Sequence, residues 1–254
     1  MAEELFGGQD VGATPSYKEQ AYRLIKEAIL FNRFRVGAIY SQDDICKELG
    51  ISRTPVREAL LELQKDGYVS FSRGKGVQVV PVSDRDARDI LETRMYIECI
   101  NAKLAANRAA QRDLQAMRES LDRLRDQLST RDGQHLYRLD HIFHRAVAAA
   151  TQNRLLYREC ELLLDHYLRF EVKSVYNNSI DAKIVFDEHV AICDAIAEGS
   201  AERAEQAMAR HLTNSYRRTV SRFLGGIVEE KHGRPCPGRM RPFDLSEYDQ
   251  IYPI

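Results

Sequence analysis

The stretch Ile51–Ser70, ISRTPVREALLELQKDGYVS, decides how the N-terminal part of the chain folds. Val56, Leu60 and Leu63 recur at helical spacing, and the run stops at Lys65-Asp66-Gly67. Ser52 or Thr54 can cap this helix, and Pro55 falls in its first turn, where a missing N–H costs nothing. A cap and an apolar stripe suffice for a helix. Arg53 and Arg57, one turn apart at its entrance, belong to neither and call for another explanation.

Upstream, SQDDICKELG (residues 41–50) reads as a short helix capped by Ser41, with Asp44 in the capping-box position and Gly50 as the stop. Before it, Ala21, Leu24, Ile25, Ala28 and Ile29 mark a first helix beginning at Tyr17, preceded by a loose arm. Downstream, YVSFS and VQVVP flank the turn RGKG (residues 73–76) and predict a hairpin. Helix, helix, short glycine-bearing turn, helix and hairpin is the order of a winged helix-turn-helix.

Beyond Pro81 strand signals vanish and helical periodicity takes over. The spacing predicts helices near 84–108, 111–130, 133–150, 153–173, 180–198 and 200–223, broken at TRDGQ, ATQN, YNNS and AEGS. Short connections between six helices argue for an antiparallel bundle. The expected fold is therefore mainly α: a winged helix-turn-helix over 15–81, an all-α antiparallel bundle over 84–224 and an irregular tail over 225–254. No internal repeat is visible.

Composition narrows the function classes. The chain of 254 residues is 44% hydrophobic and 30% charged, which suits a folded soluble protein. No apolar run is long enough for a transmembrane helix, and MAEELFGGQD lacks the apolar core of a secretory signal. No membrane partner and a cytoplasmic location are expected. The five cysteines form no C-x-x-C pair and read as reduced, mostly buried thiols. Net charge is −1, and residues 1–80 hold eleven Lys/Arg against eleven Asp/Glu. Any case for nucleic acid therefore rests on local arrangement.

That arrangement exists. The first turn of a recognition helix enters the major groove with the shortest reach to bases and phosphates. Arginine matches the O6 and N7 acceptors of guanine with two parallel hydrogen bonds. Ser52, Thr54 and the free N–H groups of the first turn suit phosphate oxygens. Arg53 and Arg57 share a face offset from the apolar stripe, and Arg73 and Lys75 lie on the hairpin turn. The alternative is that both helix arginines are surface residues paired with Glu58 or Glu62.

With these residues in place, ISRTPVREALLELQKDGYVSFSRGKGVQVV closely resembles the DNA-binding domain of the GntR family of bacterial transcription regulators. The resemblance covers roughly residues 15–81. It implies contacts to a double-stranded operator from Ser52, Arg53, Thr54, Arg57, Arg73, Gly74 and Lys75. One departure lies in AIYSQDDICKEL: the family usually carries leucine where Tyr40 stands, and often a more basic or polar residue near Asp43.

In YRLDHIFHRAVAAATQN, Leu136, Leu139, Phe143 and Val147 define an inward stripe that also holds Asp140 and His144. His189 falls among Val185, Ile192 and Ile196, and His211 continues the stripe of Ala204, Ala207 and Met208. Polar groups among core residues must find partners. Each histidine alone reads as a hydrogen-bonded core residue. Together, one aspartate and three histidines from three helices can form a metal site, with Asp140 and His144 at i, i+4. His166 also lies near an apolar stripe but is not a candidate, and His135, His141 and His232 read as peripheral. Arg94 sits on the stripe Ala87, Ile90, Leu91, Ile97 and needs an anion: Glu98, one turn later, or the carboxylate of a small effector.

Residues 84–223 resemble the FCD effector domain of the FadR subfamily. Its metal-binding members carry Asp-x-x-x-His on one helix and single histidines on two later ones, which Asp140, His144, His189 and His211 match in order. The resemblance implies a divalent transition metal, zinc first, with nickel and manganese also suiting N and O ligands, and an organic acid held at Arg94. It further implies a ligand-responsive regulator, a homodimer on a near-palindromic operator, with repression relieved by the effector. Two rivals stand beside it: a regulator responding to metal alone, and a metal-dependent hydrolase. The second lacks any further acid, base or nucleophile constellation.

Overall fold

The computed structural model describes residues 15–72, 74–130, 132–175 and 182–230. The chain divides into two units, Met1–Val82 and Ser83–Ile254.

In the first unit, α1 (Tyr17–Leu30) starts at a capping box in which Ser16 and Glu19 each accept from the other's backbone N–H. It buries Ala21, Ile25, Ile29 and Leu30. A two-residue strand, β1 (Ile39–Tyr40), follows, then α2 (Gln42–Leu49) and α3 (Arg53–Lys65). Gly50 ends α2 in the left-handed region at φ 67°, a conformation glycine adopts without penalty. The expected capping box at α2 is not formed. Ser41 Oγ accepts from the N–H of Asp43, one position early, and the Asp44 carboxylate lies 3.8 Å from Lys47 instead. α3 buries Val56, Ala59, Leu60 and Leu63 completely.

The hairpin is β2 (Val69–Ser72) and β3 (Gly76–Val79), and β3 also pairs with β1, giving an antiparallel sheet in the order β1-β3-β2. Strand β1 is an addition to the sequence-based expectation. A two-residue strand has no periodicity to read, and it exists because β3 presents its free edge. Gly76 makes that approach workable: at φ 122°, a Cβ there would stand 2.2 Å from the carbonyl oxygen of Tyr40.

The second unit holds α4 (Asp84–Arg108), α5 (Gln111–Arg125), α6 (Gly133–Ala150), α7 (Arg154–Val175), α8 (Ala182–Ala197) and α9 (Ala201–Glu230). Caps match the polar breaks: Ser83 with Asp86 at α4, Asp132 at α6, and Asn153 accepting from Leu155 and Leu156 at α7. α5 ends at Arg125, short of the expected 130, and α9 runs through Gly225 and Gly226 to Glu230, past the expected boundary at 224. The rest of the expected tail, 231–254, lies outside the described residues.

α4 packs against α6, α7, α8 and α9. A helix enclosed on that many sides buries more than one stripe, so polar residues in its middle are taken out of water. The main core gathers Met95, Phe143, Val147, Ile192, Met208 and Leu212 from α4, α6, α8 and α9. Cys99, Cys160 and Cys193 are buried free thiols and Cys46 is a half-buried one; Cys236 lies outside the described residues. Among the described residues, no helix is long and apolar enough to cross a membrane.

Candidate functional site

Two places on the chain carry candidate functional residues, one in each unit. In the first, Ser52, Arg53, Thr54 and Arg57 are all exposed at the N-terminal end of α3, while Val56 and Leu60 of the same helix are fully buried. The offset between the two faces follows from 3.6 residues per turn. Ser52 occupies the N-cap position but makes no side-chain cap hydrogen bond. Its hydroxyl is therefore not committed to the helix. Gly74, at φ 71°, and Lys75 are exposed on the hairpin turn, and Arg73 lies outside the described residues.

The pairing of Arg53 or Arg57 with Glu58 or Glu62 does not occur. Glu62 takes Lys18 at 2.6 Å, and Arg53 Nη2 reaches back to Asp43 Oδ2 at 2.8 Å. Gln42 Nε2 also donates to the carbonyl of Arg53, at 3.1 Å, so α2 holds the start of α3 at two points. Arg57 forms no ion pair among the described residues.

In the second unit the fold brings together all four candidate metal ligands. Asp140 and His144 come from α6, His189 from α8 and His211 from α9, and one ligand atom of each lies within 4.8 Å of all the others. Nε2 of His189 stands 3.3 Å from Asp140 Oδ1, and Nε2 of His144 is 3.2 Å from Nε2 of His211 and 3.8 Å from Asp140 Oδ2. All three imidazoles are at most 2% exposed. The ring of Phe143 stacks on His189 at 4.3 Å and fixes its plane.

Carboxylates stand behind two of these imidazoles. Glu188 Oε2 lies 2.8 Å from Nδ1 of His211, and its Oε1 accepts from Asn214 Nδ2 at 2.9 Å. Glu98 faces Nδ1 of His144 with one oxygen and Arg94 Nε with the other. Nδ1 of His211 is hydrogen-bonded to its carboxylate, whereas Nδ1 of His144 and Glu98 Oε2 are in ion-pair contact with no hydrogen bond to any other group among the described residues. In both cases Nε2 points to the shared centre, as in a carboxylate–histidine–metal unit. Glu188 and its role were not read from the sequence. Glu98 was read only as a partner of Arg94, although its place four residues after a buried arginine marked it as buried too.

The electrostatics suit a cation. Burial pushes His189 down to about 3 and also lowers His211, so both imidazoles are neutral at physiological pH and keep a lone pair. Burial would raise Asp140, but His144 and His189 beside it outweigh that and hold its carboxyl well below the usual range. Neutral imidazoles around an ionised carboxylate are what metal ligation requires. Both nitrogens of His189 lack a hydrogen-bond partner, which leaves a buried acceptor unsatisfied. Three nitrogens and one oxygen fit a borderline divalent ion.

Arg94 is buried at 2% exposure, with its guanidinium 4.1 Å over the Tyr167 ring and its Nε on Glu98. His141 corrects the expectation that it is peripheral. It is 4% exposed, because α6 packs against α4, α5 and α7 and buries more than its Leu136–Val147 stripe. His135 is half-buried, His166 reaches Arg169 at 3.1 Å, and His232 lies outside the described residues.

Residues 17–79 match the model for bacterial regulatory proteins of the gntR family, and residues 89–214 match the model for the FCD domain. The chain is a GntR-family transcription regulator with an FCD domain. This GntR regulator is 29% identical over 205 residues to the HTH-type transcriptional regulator LutR of Bacillus subtilis, covering 73% of this chain and 90% of that protein. It is 27% identical over 230 residues to the Uxu operon regulator of Haemophilus influenzae, covering 83% of each. Among solved structures, E. coli McbR/YncC superposes with a TM-score of 0.73 at 20% identity, over 83% of this chain and all of that one, a likeness of fold. The GntR regulator is not an enzyme, and the hydrolase reading of the histidine cluster falls.

Proposed function

We propose that this regulator is a homodimeric repressor acting on DNA in the cytoplasm, and that its helical unit holds a divalent metal, zinc first, beside a small organic acid. The observation that carries the metal half is the convergence of one carboxylate and three buried imidazoles within 4.8 Å. Such an ion supplies a Lewis-acidic centre for the oxygen of a ligand. Nickel and manganese suit the same donors. For the DNA half, support comes from the exposed face formed by Ser52, Arg53, Thr54 and Arg57, with Gly74 and Lys75 on the wing; Arg73, beside them in sequence, completes the proposed contact set. Two such helices in a dimer would read successive major grooves. The effector can act only through different affinity for two arrangements of the DNA-binding units.

Arg94 is the proposed anchor for the effector's carboxylate. A buried guanidinium one ion pair away from a metal ligand supports that role. The same ion pair favours a second reading, a regulator answering to metal alone, because Glu98 already gives Arg94 an anion. One experiment separates them. Operator sequences are selected in vitro with the full chain, and their binding is titrated with zinc, then with organic acids at fixed zinc. Release by an acid, blunted by Arg94→Ala with metal content unchanged, supports the effector. Release or capture that follows zinc alone supports the second reading. Retention of metal after His144→Ala together with His189→Ala refutes both.

A further inference from the structure

We propose that Glu98 is a positioning residue for the metal site: clamped by Arg94 through one carboxylate oxygen, it presents the other to Nδ1 of His144 and so fixes which nitrogen of that imidazole carries the proton. The inference rests on the metal-binding reading above and adds to it a mechanism by which α4, which supplies no ligand, controls one.

A neutral imidazole has one N–H and one lone pair. His144 Nε2 faces the centre, 3.2 Å from His211 Nε2 and 3.8 Å from Asp140 Oδ2. To serve as a ligand it must carry the lone pair, so the proton belongs on Nδ1. An ionised carboxylate only accepts, and Glu98 Oε2 is the oxygen in ion-pair contact with Nδ1, neither atom being hydrogen-bonded to any other group among the described residues. Arg94 only donates, and its Nε engages the other oxygen. The proposed chain runs one way: Arg94 donates to Glu98 Oε1, and Oε2 is left for the Nδ1–H of His144. The side chains of Arg94, Glu98 and His144 are 3%, 2% and 0% exposed, so all three are shielded from bulk solvent.

Glutamine at position 98 keeps the shape and breaks the logic. Because Arg94 cannot accept, the amide oxygen must turn toward it. The amide nitrogen then faces His144 Nδ1, which can only accept from it, and the imidazole proton moves to Nε2. The lone pair needed at the centre is lost. Removing the arginine as well, in Arg94→Met with Glu98→Gln, frees the amide to turn over and offer its oxygen to Nδ1–H. The second substitution thus repairs the first, an outcome that simple loss of packing does not produce.

The test measures zinc affinity by chelator competition on the full-length chain, with the histidine tautomers read by 15N NMR on the metal-free protein at mildly alkaline pH. The signal of His144 is assigned by its loss in His144→Gln. Wild type is expected to show His144 protonated on Nδ1. Glu98→Gln is expected to move that proton to Nε2 and weaken zinc about 10- to 100-fold, the usual cost of losing such a partner. Arg94→Met with Glu98→Gln is expected to recover most of that loss. A wild-type His144 protonated on Nε2 overturns the proposal without any variant having to fold. So does wild-type zinc affinity in a cooperatively melting Glu98→Gln, or a double variant no tighter than the single one. If wild type takes up no zinc, the metal reading fails, and the tautomer measurement still decides the role of Glu98.

Discussion

At the tip of α3, Ser52, Arg53, Thr54 and Arg57 are all exposed, whereas in the helical unit His144, His189 and His211 are each 2% exposed or less. Both regions are built from polar groups, yet they are held by opposite means. The exposed arginines keep their hydration and impose little on the fold, so four neighbours in sequence are enough to make the surface. The buried imidazoles must each be oriented by a partner, so their chemistry is spread over α4, α6, α8 and α9 through Glu98, Asp140, Glu188 and Asn214. Substitutions at the first region should change function and spare stability. At the second they should change both.

The strongest challenge to that contrast is His144→Ala together with His189→Ala. It removes two of four donors and leaves Asp140 ionised with fewer partners. Stoichiometric zinc should disappear on elemental analysis, and the thermal transition of the metal-loaded protein should fall to that of the metal-free one, since a ligand stabilises only what it binds. Full metal content in the variant would break the comparison at its root.

The contrast also explains what the sequence made legible. The order of helices and hairpin, Gly50 as a stop and the two faces of α3 depend on neighbours within a few residues, and they could be read directly. The four candidate ligands could be found because each lies on an apolar stripe, a signal internal to its own helix. Strand β1 could not, because Ile39 and Tyr40 are extended only through β3 and the bare Cα of Gly76. Glu188 was invisible for a similar reason: its partner His211 is on another helix, and nothing near Glu188 in sequence signals it. His141 misled because the stripe argument assumes one buried face, while α6 is packed on several.

Two substitutions one turn apart sharpen the comparison within a single helix. Leu60→Ala deletes a fully buried side chain beneath the proposed DNA-reading edge and should destabilise the first unit by about 2–5 kcal/mol, read from urea unfolding. Arg57→Ala should leave the unfolding curve where it is and weaken binding to a selected site by about 1–3 kcal/mol, the worth of one good base contact. If Arg57→Ala also destabilises the fold, the arginine is part of the packing and not a free reading group.

The smallest expected effect belongs to Asp43→Ala. The Asp43–Arg53 pair is short, at 2.8 Å, but its side chains are 49% and 75% exposed, and such pairs contribute little to stability. The melting temperature should therefore not move. DNA binding should, because the carboxylate stands on the same edge as the proposed phosphate contacts and occupies the guanidinium of Arg53. Alanine removes one negative charge and releases one positive group, so affinity for unselected duplex should rise. The plot of log affinity against log salt should steepen by about one unit, the signature of one more phosphate neutralised. Weaker binding to the selected site would reverse this assignment: Asp43 would then be holding Arg53 in the orientation that reads a base, and α2 would take part in recognition through its acid.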